Sequence, residues 1–293
     1  MASERVALRG YRTAELAADP PPTSHRARGE AGGGTRLLRR TWSGLWPRVA
    51  AVLLALAAWQ MVAWMGWRPD YLLPGPMPVL ARLASDASHP IFYSAVAITL
   101  ERALWGYCLA VALGSAAGVL VARTRVLRSA VGSLLGGLQS MPSIAWFPLA
   151  ILLFGLSEGA IGFVVLLGAA PAIANGVIAG IDQVPPLLLR CGRAMGAGRV
   201  QLLRHVLLPA SLPTIIAGLK QGWAFAWRSL MAGELLVIVS NRPSLGVRLQ
   251  LARETADAEG LLAAMVVVLL VGMAVEVLFS SVDGAVRRRR GLG

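Results

Sequence analysis

Lys220, Arg228 and Glu234 interrupt residues 213–239, which are otherwise apolar. A Lys or Arg at a helix centre costs about 2.5–3.5 kcal/mol to place in lipid, and each Leu, Ile, Val or Phe returns only about 0.3–0.6. Three charged groups on one helix therefore need protein or water around them. At about 100° per residue they share one arc of about 140° with Trp223 and Trp227, so one side of the helix is polar and aromatic and points to the bundle interior or a wet pathway. The chain offers little for covalent chemistry. His25, His89 and His205 have no metal-ligand spacing, and Cys108 and Cys191 lie in different surroundings without metal or redox neighbours. Lys220, the only lysine, does not follow the glycine that a Walker A loop requires, which excludes ATP hydrolysis by that route.

Other residues could join the Lys220 helix along a pathway. Met141-Pro142 breaks an apolar run and frees backbone carbonyls that only protein or water can satisfy. Ser140, Met141, Ser143 and Trp146 are therefore candidate pathway residues, with Asn175, Trp223, Trp227 and Arg228. Packing or interface anchoring explains the tryptophans as well as pathway lining does. Asn175 also suits a hydrogen bond between helices. Arg228 could attract an anion, or it could pair within the membrane with Glu101, Glu276 or Glu234. Glu234 lies near enough to one end to reach the headgroups.

The elements that must position these residues are membrane spans. Of 293 residues, 56% are apolar and only 15% charged, with a mean hydropathy of +0.63, which excludes a soluble enzyme, a disulfide-stapled domain and a disordered acidic protein. Six spans are expected over about 49–67, 94–122, 130–156, 159–181, 213–239 and 261–282. A short amphipathic piece, 79–83, follows the prolines at 74, 76 and 78. Small-residue pairs, Gly114 and Gly118, Gly132 and Gly136, Gly176 and Gly180, would let helices approach closely.

The net charge of +13 does not indicate nucleic-acid binding, because the arginines fall between apolar spans and in the tails rather than on a folded basic face. Loops holding Arg123, Arg125 and Arg128, then Arg190, Arg193, Arg199 and Arg204, then Arg287 to Arg290 are basic, whereas the alternate loops balance. The positive-inside rule then places both termini in the cytoplasm. The expected organisation is a disordered basic tail (1–47), a six-helix transmembrane domain (48–286) and a second basic tail (287–293).

Between the fourth and fifth spans lies the cytoplasmic stretch 185–209, PPLLLRCGRAMGAGRVQLLRHVLLP. It parses as a short helix, a turn at 196–198 and a second helix ended by Pro209, presenting an apolar ridge and arginines to a partner outside the bilayer. Here the chain resembles the permease subunits of bacterial binding-protein-dependent type I ABC importers. Their signature in this loop is EAA, three residues, Gly, nine residues, Ile, one residue, Leu-Pro. Gly196, Val206 and Leu208-Pro209 match the spacing, whereas Arg190, Cys191 and Gly192 stand in place of EAA. The likeness runs from about residue 42 onward through LLPGP, TLER at 99–102, SMPSIAWFPLAILLFGLSE at 140–158 and Ala-Gly-Glu at 232–234, and is nearest the sulfonate, nitrate and taurine branch.

The resemblance implies an all-α integral membrane protein of the inner membrane that works without a cofactor of its own. It implies two ABC ATPase subunits holding ATP and Mg, a second permease copy, and an extracytoplasmic binding protein that delivers the ligand. Leu189, Arg190, Cys191, Gly192, Arg193, Ala194, Met195, Gly196, Ala197 and Gly198 then occupy the position of the coupling helix that docks on the ATPase. The implied function is import of a small anion, an aliphatic sulfonate ahead of taurine or nitrate. An ion-gradient carrier or channel acting without an ATPase is the alternative; such proteins commonly show internal repeats, and no convincing one is present.

Overall fold

The structure, a computed structural model, describes residues 33–240 and 242–289. The expected tail over 1–32, with His25, and residues 290–293 lie outside them. The regular elements among the described residues are helical: α1 (Gly33–Trp64), α2 (Pro76–Ala87), α3 (Pro90–Arg123), α4 (Arg125–Ser140), a 3₁₀ turn (Ser143–Trp146), α5 (Phe147–Phe154), α6 (Glu158–Asp182), α7 (Pro186–Ala194), α8 (Arg199–Leu202), a π turn (Leu203–Leu207), α9 (Leu208–Leu236), α10 (Leu245–Glu254) and α11 (Ala258–Arg289). Residues 33–47, expected in the tail, are helical within α1, which carries Pro47 in its interior. Two compact units, Met1–Ala55 and Leu56–Gly293, divide the chain, and the second holds every candidate site residue named above.

Prolines open many of these helices: Pro76, Pro90 and Pro186 sit in the first turns of α2, α3 and α7, where a missing N–H costs no hydrogen bond. Pro90–Arg123, Glu158–Asp182, Arg199–Leu236 and Ala258–Val286 are each long and apolar enough to cross a bilayer. The expected first span contains the shorter apolar helix Val49–Trp64.

Two proline positions behave differently. The break expected at Met141-Pro142 is present, since Ala130–Ser140 and Ser143–Phe154 meet at 100° within the run 130–156. Pro142 supplies no N–H and pushes its predecessor out of the α region, so Met141 is extended at φ −78° and ψ 127°. Pro209, by contrast, does not end its helix: Arg199–Leu236 is continuous. The π turn over 203–207 widens the backbone where the Pro209 ring would otherwise meet the carbonyl four residues before it.

The core is centred on α6, clasped between α3 and α9. Ile161, Val164, Val165, Ala169 and Ile173 are buried there with Ala103, Tyr107, Trp223 and Leu230. Glycines set the distance between backbones. A methyl group on Gly114 would lie 2.7 Å from the Ala170 carbonyl oxygen, one on Gly118 2.8 Å from that of Ala174, and one on Gly176 2.5 Å from the Gly218 Cα. Gly132 and Gly136, expected to serve the same purpose, have no neighbour among the described residues within 4 Å of a methyl group placed there. Gly176→Val is therefore expected to lower the thermal midpoint of the detergent-purified protein, at a cost of about 1–3 kcal/mol or more because backbone must move. Gly132→Val, measured beside it, is expected to leave the midpoint near that of the parent.

Candidate functional site

The break between α4 and α5 turns the end of α4 towards α9. Gln139, Ser140, Met141, Ser143 and Trp146 line a cavity of about 260 Å³ with Phe225 and Arg228. The Ser140 hydroxyl donates to the Gly137 carbonyl (2.8 Å), whereas the buried Gln139 Nε2 has no partner among the described residues. Ser229 Oγ is also buried without a partner and lies against Gly168, which lines the same cavity. Arg228 donates from Nε to the Ala224 carbonyl (3.0 Å), and its guanidinium stands 4.9 Å from the Phe225 ring centroid. Of the two readings open to it, ion pairing fails within the described chain: Glu101 pairs with Arg242, Glu276 with Lys220 and Glu234 with Arg102.

A second, apolar cavity of about 680 Å³ lies between α9 and α11 and shares Arg228 with the first. Trp223, Ala224 and Trp227 form its α9 wall, Met265, Leu269 and Met273 line it from α11, and Lys220 with Glu276 lies at its border. Lys220 Nζ is 3.2 Å from Glu276 Oε1 and donates to Ser280 Oγ at 3.1 Å. Trp223 and Trp227 stack at 6.1 Å, and Trp223 also packs edge-on to Tyr107 at 5.3 Å. Trp223 thus both packs the core and walls the cavity. Asn175 lines neither cavity; it is half-buried on α6, with no side-chain hydrogen bond among the described residues.

Glu234 departs from the expected face. Its direction around α9 matches that of Trp227, but seven residues further along it stands about 10 Å beyond the cavity, where α3 and α10 cover it. It is fully buried and does not reach the headgroups. Arg102 Nη1 donates to Glu234 Oε1 (2.9 Å), Thr99 Oγ1 to Oε2 (2.9 Å) and the Gly246 N–H to Oε2 (3.0 Å). The same Arg102 forks onto Glu158 at 2.8 and 2.6 Å, and Arg242 bridges Glu158 (3.3 Å) to Glu101 (2.8 Å). Sequence reasoning assigned Thr99, Arg102 and Glu158 no role. A signal was present, since each lies in a motif beside or within an apolar run, where charge needs a partner.

At the opposite end of α9, the predicted turn is built as expected. Gly196 has φ +80°, its N–H donates to the Arg193 carbonyl (2.9 Å), and the Ala197 N–H donates to that of Gly192 (3.1 Å). This double closure is a Schellman motif with glycine in the left-handed position. Gly192 is buried, and a methyl group there would come 2.6 Å from a Leu202 methyl carbon, which explains how α7 folds close against α8. Leu187, Leu188, Met195 and Val200 face outward with Arg190, Cys191, Arg193, Ala194, Gly198 and Arg199, whereas Leu189 and Ala197 are half-buried.

Residues 110–290 match the family described as the binding-protein-dependent transport system inner membrane component. The chain belongs to this family. A riboflavin transport system permease protein of Chloroflexus aurantiacus is 31% identical over 243 residues, covering 83% of this chain and 89% of that protein. The taurine transport system permease protein of Escherichia coli K12 is 27% identical over 233 residues, covering 78% of this chain and 84% of the relative. An inward-facing structure of the MetNI methionine ABC transporter superposes with a TM-score of 0.57 at 23% identity, covering 67% of this chain and 96% of that one, and it shows a shared fold.

The chain is thus an integral membrane permease subunit of a binding-protein-dependent ABC importer, with the type I fold, and it is not an enzyme. Permeases of this family work with an ATPase and a substrate-binding protein. The matched residues include both cavities and the 185–209 loop. Thr99 and Arg102 precede the match, yet they hold Glu158 and Glu234, which lie within it.

Proposed function

We propose that this permease passes a small anion, an aliphatic sulfonate ahead of taurine or nitrate, received from an extracytoplasmic binding protein and driven by two ATPase subunits that hold ATP and Mg. Two copies of the chain form the pathway in the inner membrane, with both termini in the cytoplasm and residues 189–198 as the coupling helix against the ATPase. Ser140, Met141, Ser143, Trp146, Trp223, Trp227 and Arg228 line the pathway.

One observation carries the anion: Arg228 borders both cavities and has no carboxylate partner among the described residues. An arginine within a span needs a counter-charge, and a strong-acid monoanion supplies one. Relatives named for riboflavin and for taurine are about equally similar, so the site chemistry has to choose between them. Riboflavin, which is uncharged, would offer Arg228 no counter-ion. Family membership also removes the ion-gradient carrier as a competing reading.

Arg228→Gln, reconstituted with the ATPase and binding protein, is expected to reduce sulfonate uptake into proteoliposomes by about tenfold or more, the scale of a lost charge-assisted hydrogen bond. Arg228→Lys should retain part of the uptake. Parental uptake by the glutamine variant would remove the anion from this proposal.

A further inference from the structure

Arg228 stands at the junction of two cavities, a smaller one that carries several polar groups among apolar walls and a larger one that is almost wholly apolar. On one side are Gln139 Nε2, a buried donor without an acceptor among the described residues, and the Ser143 hydroxyl; no described Asp or Glu lines that cavity. On the other side the walls are Trp223, Trp227, Met265, Leu269 and Met273, and charge returns only where Lys220 and Glu276 neutralise each other. The volume of about 680 Å³ lies within the range of small-molecule sites, and a site of that size is far more than an inorganic anion needs.

A head of acceptor oxygens and an apolar tail, joined at one arginine, are the two halves of an amphiphilic anion. The absence of a carboxylate from the polar side also leaves a substrate ammonium without a partner there, which disfavours a zwitterion such as taurine. Nitrate would fill the head position and leave the apolar cavity without a role.

We infer that the permease itself carries a head-and-tail binding site, in which Arg228 and Gln139 hold the anionic head and the cavity between α9 and α11 takes an alkyl or aryl tail. The site rests on the anion reading above and adds to it a selection by the membrane subunit on the length of the apolar chain. The two other occupants of such a cavity, a lipid acyl chain and a second copy of this chain, would contact Met265, Leu269 and Met273 without needing Arg228.

Calorimetric titration of the full-length chain in nanodiscs with methane-, butane- and hexanesulfonate, beside nitrate and taurine, tests this directly. Affinity is expected to rise about threefold to fourfold per methylene while the tail remains enclosed, so hexanesulfonate, if its whole tail is enclosed, should bind on the order of 100-fold tighter than methanesulfonate or more. Leu269→Trp, which fills the tail cavity, is expected to flatten the series, and Arg228→Gln to weaken every member of it. A flat series in the parent protein overturns the tail site while leaving an anion site intact. Binding of no sulfonate at all would instead fail the anion reading beneath it. A steep series that Leu269→Trp leaves unchanged places the tail elsewhere and overturns the inference. Native mass spectrometry showing a bound phospholipid that hexanesulfonate does not displace, and that Leu269→Trp removes, would do the same. The parent series decides the matter even if Leu269→Trp does not fold.

Discussion

Glu234→Ala is expected to cost about 3–5 kcal/mol of stability, the scale found when one member of a buried ion pair is removed and the other is stranded. Glu234 is fully buried and accepts from three donors on two other segments: Thr99 and Arg102 of α3 and the Gly246 N–H of α10. Its loss leaves Arg102, only 8% exposed, with Glu158 alone, and leaves the Gly246 N–H without an acceptor in a site closed to water. The attachment of α10 then depends on the bond from the Leu245 N–H to Thr99 Oγ1 (3.0 Å), on Arg248, which pairs with Asp86 of α2 and stands 5.6 Å from the Phe92 ring centroid of α3, and on apolar packing.

The rest of the same cluster provides the comparison. Arg242 pairs with Glu101 and Glu158, but these side chains are 37%, 50% and 38% exposed, and ion pairs of that exposure contribute about 0–1 kcal/mol. Arg242→Gln should therefore shift the thermal midpoint of the detergent-purified protein much less than Glu234→Ala. Glu234→Gln keeps the shape and one carbonyl acceptor, and its midpoint should fall between the two. Equal midpoints for Glu234→Ala and Arg242→Gln would show that the buried carboxylate is not what holds α10 to α3 and α9.

That cluster also marks how far the sequence can be read. Helical spans were legible because runs without charge are long enough to cross a bilayer, and the break at Met141-Pro142 and the turn at Gly196 because proline and glycine act on their own backbone. Such signals are local. The pairing of Arg102 with Glu234 joins residues 132 positions apart and depends on how α3 and α9 pack against α6, which no local rule supplies. The helical phase placed Lys220, Trp223, Trp227 and Arg228 on one face correctly. It could not say that Glu234, in the same direction but further along the axis, would meet another helix. Pro209 misled for the opposite reason: a local breaker was absorbed by the π turn before it. The glycine pairs divide in the same way, since of the six paired glycines only Gly114, Gly118, Gly176 and Gly180 have a neighbouring helix within reach among the described residues.

Gly196→Pro is expected to abolish ligand-stimulated ATP hydrolysis and uptake while the protein still inserts and purifies as the parent does. Proline holds φ near −65°, whereas this residue sits at +80°, and proline has no N–H to donate to the Arg193 carbonyl. Both closures of the Schellman motif would therefore be disturbed, and α7 would leave α8 in a different direction. The lesion stays local because none of the described residues lies within 4 Å of a side chain placed at residue 196, so no packing in the membrane-embedded core is disturbed. Gly196→Ala separates backbone from bulk: the methyl group meets open space, and only the left-handed conformation is penalised, by about 1–2 kcal/mol. A partial loss with alanine and a complete loss with proline would show that the hinge transmits force through its backbone geometry. Hydrolysis and uptake at parental levels in the proline variant would mean that residues 189–198 are not the coupling element.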